Sequence, residues 1–472
     1  MKDLTVGKPM KVIWLFAVPM ILGQIAQQLY SFTDSAIVGN YVSSQALAAV
    51  GATSVISNMI IGFLNSGTMG LAIPIAKYYG AKDYHNMRRC IGASAIMTLL
   101  ASIVLTVLSL IFIRPILVLL KTPDDILDMA ASYVIIIIVG IIFCSLYNLC
   151  ANILRAVGDS KTPLIFLGIS VVLNIVLDLM FIRAFDMGVR GAAIATDISQ
   201  ALAGILALIY ILVKAKHLIP EKDEYSVEKS DRSDLIQSAL AMGFMSCIVN
   251  IGTVILQRAI NGLGTDIVTA HTAARKIFDI LMFMLYIVGN AVTTYVSQNM
   301  GAGKMDRVHK GFGAGRNLVW IICVPIVLLY FFFGRFLLLL FMNDPQGPAI
   351  DTGMLFLHIL SPFYFVVSLK LVTDGILRGC GMMVRFMIAT FSDLILRVGI
   401  AIVLSSTALG STGIWMAWPV GWCIGTGLSL VFYFAAIRKV LAESPAKAEA
   451  EGEAAEARAE AEFAADAEME TL

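Results

Sequence analysis

Three carboxylic acids command interest because of where they stand. Asp34, Asp178 and Asp197 each lie inside a long apolar run, and no Lys or Arg lies deep in the runs around them. A charged side chain at the centre of a bilayer costs at least about 2.5–3.5 kcal/mol, so each is a candidate functional group. With no basic partner, such a carboxylate is neutralised by a proton or by a small cation held through hard oxygen ligands. Asn174 lies one helical turn before Asp178 and offers an amide oxygen, and Thr196 offers a hydroxyl. At about 1.5 Å of rise per residue, counted from the nearest chain reversals, Asp34, Asp178 and Thr196 reach similar depth and could converge. The expectation is a cation or proton site built from Asp34, Asn174, Asp178 and Thr196. The plainer alternative is polar glue between helices, in which Asn174 and Thr196 satisfy each other.

The later half of the chain is charged differently, with Arg258, Arg275, Lys276, Asp279, Lys370, Asp374, Asp393 and Arg397 inside apolar runs. Arg275 and Asp279, Lys370 and Asp374, and Asp393 and Arg397 are each four residues apart, so they can neutralise one another across one turn. They read either as structural ion pairs or, with Gln257 beside Arg258, as the wall of an aqueous cavity that meets substrate. Pro19, fifteen residues before Asp34, removes a backbone hydrogen bond and is the expected hinge of the first helix.

Other chemistries lack their residues. No GxxxxGK[ST] phosphate loop is present, and Gly158-Asp159-Ser160-Lys161-Thr162 has the wrong spacing for one. The five histidines show no paired-ligand spacing, and the seven cysteines are scattered without a CxxC pair. No enzyme activity, resident metal, cofactor or nucleic-acid partner is expected; Na⁺ or H⁺ would enter only as a coupling ion.

The elements that position these groups must be membrane helices. The 472 residues are 58% hydrophobic and 14% charged, against about 45–50% apolar and 25% charged in soluble domains. Breaks at Gly, Pro and charge clusters place twelve helices near 11–38, 47–79, 88–119, 126–154, 161–183, 189–214, 233–262, 266–299, 310–342, 351–378, 384–406 and 412–438. The first run is too long for a cleavable signal. Alternate gaps between helices hold 22 and 5 Lys or Arg, a bias that puts both termini in the cytoplasm.

A polar stretch at 215–232 divides the helices six and six, with one lobe at 1–214 and the other at 233–440. Gly80-Ala81 recurs as Gly301-Ala302, Ile153-Leu154-Arg155 with Gly158 as Ile376-Leu377-Arg378 with Gly381, and Gly188, Gly191 and Ala195 as Gly410, Gly413 and Ala417, at offsets of 221 to 223. Six intervening helices make the repeats parallel, related by an axis along the membrane normal, a plan found in transporters. Residues 443–472 hold nine Glu and one Asp against Lys447 and Arg458, so 441–472 reads as an acidic, Ala-rich cytoplasmic tail.

Arg155-Ala-Val-Gly-Asp-Ser-Lys-Thr-Pro163, Leu173-Asn174 with Asp178, Gly188-Val-Arg-Gly191-Ala-Ala-Ile-Ala-Thr196 and Gly301-Ala302-Gly303 together resemble the multidrug and toxic compound extrusion (MATE) transporters, over roughly residues 10–440. The resemblance implies an all-α, V-shaped pair of pseudo-two-fold-related six-helix lobes in a bacterial inner membrane. It implies secondary active efflux of drugs, organic cations and amphipathic compounds in exchange for Na⁺ or H⁺, by a monomer in contact with lipid. Pro19, Asp34, Asn174, Asp178 and Thr196 match the pattern of prokaryotic members with an acidic first lobe. Other branches place a carboxylate where this chain has Gln257-Arg258. A related lipid or lipid-linked oligosaccharide flippase is the rival reading, because Arg258, Arg275, Lys276 and Lys370 could gather around an anionic headgroup.

Overall fold

A computed structural model describes residues 3–120, 122–222, 224–342 and 347–435. Among these, twelve helices are long and apolar enough to cross a membrane: α1 Pro9–Tyr41, α2 Gln45–Gly80, α3 Tyr84–Leu119, α4 Asp124–Ala156, α5 Lys161–Ala184, α6 Gly188–Lys214, α7 Lys229–Asn261, α8 Thr265–Gly301, α9 Met305–Leu339, α10 Pro348–Gly379, α11 Met383–Ser405 and α12 Gly410–Ala435. The protein is all-α, as the composition predicts. The acidic tail at 441–472 and the part of the last helix expected beyond residue 435 lie outside the described residues.

Local chemistry sets the helix ends. The Ser43 hydroxyl accepts from the Ala46 N–H at 3.0 Å and starts α2, and Asp83 accepts from Asn86 N–H at 3.1 Å and starts α3. Asp159 accepts from the Lys161 and Thr162 N–H groups at 3.1 and 3.0 Å. The Gly-Asp-Ser-Lys-Thr stretch is therefore a helix start and not a phosphate loop. The repeat has a backbone cause too: Gly158 and its counterpart Gly381 lie at φ +84° and +75°, and Gly188 and Gly410 at +57° and +49°, a region that penalises any Cβ.

Two features depart from a plain reading of the sequence. The last turn of α5, Leu179–Ala184, is a π-helix that begins immediately after Asp178, a rare geometry that concentrates at functional sites. In α10 a 3₁₀ turn at Ser361–Phe363 joins two α-helical stretches, where Pro362 cannot donate a backbone hydrogen bond.

Packing crosses the sequence division at 215–232. Leu4, Ile13, Phe16 and Ala17 are buried in one apolar cluster with side chains of α7 to α12. Farther along α1, Ile37 and Val38 pack with α4 and α6. The first helix thus belongs to the second half at its start and to the first half at its end, and Pro19 falls between. Hydrogen bonds hold the entering strap: the Gln298 side chain accepts from Leu4 N–H at 3.1 Å and donates to the Ala156 carbonyl at 2.7 Å, while Arg307 donates to the Gly7 carbonyl at 2.8 Å.

At the same end, the backbones of α2 and α8 meet with no room between them. A Cβ on Gly80 would collide with the Gln298 backbone, and one on Gly301 with the Lys77 carbonyl. Lys77 and Gln298 are themselves 221 apart, so this is a self-complementary contact between the repeats.

Candidate ion and substrate sites

Asp34 comes from α1 and Asp178 from the end of α5, and their carboxylates are near neighbours. Asp34 is 8% exposed, and Asn174 and Asp178 are 0%. Neither oxygen of Asp178, neither amide atom of Asn174, nor Asp34 Oδ1 finds a hydrogen-bond partner among the described residues. Thr196 stands half-buried on α6 and faces Tyr30. Tyr30 and Tyr133 are both near enough to the two carboxylates to feel their charge.

Asp34 and Asp178 are thus neighbours of each other and of Tyr30 and Tyr133, two tyrosines that sequence reasoning missed, with Thr196 against Tyr30 and Asn174 one turn before Asp178 on α5. Tyr30 had a usable signal, since it lies one turn before Asp34 on the same face. Tyr133 had none. Asp197 turns the other way, against Gly140 of α4, where the missing side chain makes room for its carboxylate.

The second-half charges divide into three groups. Lys370 donates to Asp374 at 2.6 Å, both residues are 3% exposed, and Ser429 donates to the other Asp374 oxygen at 2.6 Å. Arg275 pairs with Asp279 at 2.7 Å and lies over Trp418, 4.7 Å from the ring centre. Asp393 and Arg397 do not close into an ion pair; Asp393 Oδ1 and Arg397 Nε are buried without a hydrogen-bond partner.

Lys370, Asp374, Asp393 and Arg397 line a cavity of about 330 Å³, which also reaches Ser66 of α2. Arg275, Asp279 and Arg397 line an adjoining one of about 180 Å³. Three residues expected in this wall are not there. Gln257 bonds Asn261 on an exposed face at 2.9 Å, Arg258 is exposed, and Lys276 is exposed with its ammonium 5.7 Å from the centre of the Phe341 ring. The reason is helical phase: Leu256 and Ile260, and Ile277 and Phe278, take the inward positions of α7 and α8. The four cations considered for an anionic headgroup are consequently not gathered in one place.

Between the halves lies a further cavity of about 290 Å³, bordered by Gln24, Asn65, Asn152, Arg155, Asn290 and Thr294 among others. Arg155 donates to Asn152 at 3.0 Å and keeps its Nε buried without a partner. Polar side chains make up about half of its lining, so a molecule held there would meet hydrogen-bonding groups as much as apolar surface.

The MatE family pattern matches residues 19–180 and 241–403. The chain belongs to the MatE family. MatE proteins are transporters, so this chain is a transport protein and not an enzyme. It is 29% identical over 92% of its length to the probable multidrug resistance protein YpnP of Bacillus subtilis, covering 94% of that protein. It is 25% identical over 89% of its length to the probable multidrug resistance protein NorM of Thermotoga maritima, covering 91% of it. A crystal structure of MATE in the bent conformation shares the fold with a TM-score of 0.88 at 22% identity, over 94% of this chain and 98% of that one. The two family segments fall one in each six-helix half, in keeping with the repeat.

Proposed function

We propose that this chain is a secondary active multidrug exporter that releases organic cations and amphipathic compounds in exchange for H⁺ or Na⁺ bound at Asp34 and Asp178. The observation that carries this reading is the pair of neighbouring buried carboxylates, neither in an ion pair among the described residues, with both Asp178 oxygens and Asp34 Oδ1 making no hydrogen bond. Two unit charges at about 4 Å repel by roughly 4 kcal/mol at an effective dielectric of 20. That cost falls away once a proton or a small cation sits between them, with Asn174 and Thr196 as neutral oxygen ligands. The names of the relatives support multidrug resistance, and organic cations and amphipathic compounds are the class that the family resemblance implies.

Occupancy of the pair would draw α1 and α5 together. Because the start of α1 packs in the second half and its end packs in the first, a change at Asp34 reaches both halves through Pro19, the hinge. Ion and substrate are then linked through their different affinities for two arrangements of the halves. The same reading takes 1–214 and 233–440 as the two lobes joined by 215–232. It places the protein in a bacterial inner membrane as a monomer, with both termini cytoplasmic.

The decisive experiment is efflux from proteoliposomes with Na⁺ and pH gradients imposed separately. Asp34→Asn and Asp178→Asn should each lower gradient-driven export by about tenfold or more, since each removes a charge that alone distinguishes the two occupancies. Export unchanged in both variants would overturn the assignment. The gradient that drives the native protein identifies the coupling ion.

A further inference from the structure

Arg155 stands in the last turn of α4 and borders the cavity between the halves, where it is the one charged residue among those described. Its Nη1 donates to Asn152 Oδ1 at 3.0 Å, and Asn152 donates onward to Thr68 at 3.0 Å, so the guanidinium is held in place. That neutral amide is its only hydrogen-bond partner among the described residues, and no Asp or Glu closes on it. Nη2 makes no hydrogen bond there and, unlike Nε, is not sealed off by packing. The carbonyl end of α4 carries about half a negative charge and offsets the arginine only in part.

The repeat shows what this arginine lacks. Its counterpart Arg378, 223 residues on, borders the second-half cavity together with Asp374 and Asp393. Asp374 stands one turn before Arg378, and the equivalent position before Arg155 is Ala151. One half surrounds its arginine with acids, the other with amides and hydroxyls. A buried cation without a counterion is costly, and a ligand that brings one removes the cost. Gln24 and Asn65 from α1 and α2, and Asn290 and Thr294 from α8, offer N–H and O–H donors across the same space. A carboxylate or phosphate accepts from such donors and from a guanidinium at once. A cation there would meet only like charge. Ala76 and Ser297 also border the cavity, each four residues before Gly80 or Gly301, so the space begins about 6 Å from the backbone contact of α2 with α8.

We propose that the closed end of the cleft between the halves is an oxyanion site, in which Arg155 takes a carboxylate or phosphate that neutral donors of both halves complete. This goes beyond the exporter reading, which assigns no anion. Its test is binding to the purified chain without a gradient and without export, so it stands or falls separately from the Asp34 and Asp178 assignment.

The probes are 2-naphthoate and its neutral amide, 2-naphthamide, titrated calorimetrically into the purified full chain in detergent, with and without excess inorganic phosphate. The naphthoate should bind about tenfold or more tightly than the amide, the gain expected when a charge-assisted contact replaces a neutral one. Arg155→Gln should bring the two to equal affinity. In a separate Met69→Cys variant, whose thiol would border the same cavity, the naphthoate should slow alkylation and the amide should not. Phosphate that displaces the naphthoate assigns the site to the free ion as well; naphthoate that phosphate leaves in place assigns it to an acid group carried on an organic molecule. Equal affinity of the two probes for the native chain would overturn the proposal, and so would a naphthoate preference that survives in Arg155→Gln. Should Arg155→Gln fail to fold, the Met69→Cys variant decides, since protection by both probes alike, or by neither, would place the anion elsewhere.

Discussion

Asn174 is completely buried, and both of its amide atoms lack partners, one turn before Asp178, whose two oxygens are in the same condition. An amide left bare in a packed interior forgoes about 1–3 kcal/mol, which a bound ion with its remaining hydration would return. Asn174→Leu separates the two roles that the sequence left open. If Asn174 is an ion ligand, the concentration of coupling ion needed for half-maximal export rises about 10–100-fold, and the thermal midpoint holds or climbs because an unsatisfied polar group has gone. If it is polar glue, the midpoint drops while the ion dependence stays. At this scale much of the site was legible, because an acid in an apolar run is a signal needing no neighbours. Tyr133 was invisible because a tyrosine in a membrane helix is ordinary until something charged is seen beside it.

At the scale of elements, α1 and the connection between the halves do opposite things. Helix α1 joins two packing environments across Pro19, whereas the connection after α6 is pinned to one of them. Glu224 is 1% exposed and accepts two hydrogen bonds from Arg88 at 2.7 and 2.6 Å, a backbone N–H from Glu221 at 2.9 Å, and a contact with His85 Nδ1 at 2.8 Å. The Arg88 guanidinium holds its carboxyl far below the ordinary glutamate range near 4.5, at about 2. A group whose folded value is depressed contributes stability above its unfolded value and loses it as pH falls through the folded one. Glu224→Gln should therefore lower stability by about 1.5–3 kcal/mol, the worth of hydrogen bonds to a charged group, at pH 5 to 8. The difference from the native chain should shrink between pH 4.5 and 2, as followed by thermal unfolding in detergent. The sequence marked 215–232 as polar and not as anchored, since Arg88 lies 136 residues from its partner.

Considered as a whole, the molecule is closed at the end where Gly80 and Gly301 bring α2 and α8 into backbone contact. Only small residues permit that approach. Gly301→Val would force the two backbones apart, and overpacking of this kind costs about 1–3 kcal/mol. A cysteine placed at Asn65, on the cleft between the halves, should then label from that end roughly fivefold or more faster, because the closed arrangement loses its advantage. Labelling that stays at the parent rate would mean that this contact does not hold the closure.

What the sequence determined by itself was everything that depends on periodicity and solvent. Twelve spans and the doubled pattern follow from apolar length and glycine, which act locally along the chain. Lys370 with Asp374 and Arg275 with Asp279 were likewise readable, since both partners share a helix. Tertiary structure alone decided which of the equally spaced pairs would stay open. Asp393 and Arg397 have the same spacing as the other two but stay apart, Asp393 against the glycines of α12 and Arg397 over Trp418. It also decided that Gln257, Arg258 and Lys276 face away from the cavity, and that Asp34 lies near Asp178 across 144 residues. Such outcomes turn on contacts between helices, where a few degrees of phase determine whether a charge meets a partner, a cavity or lipid.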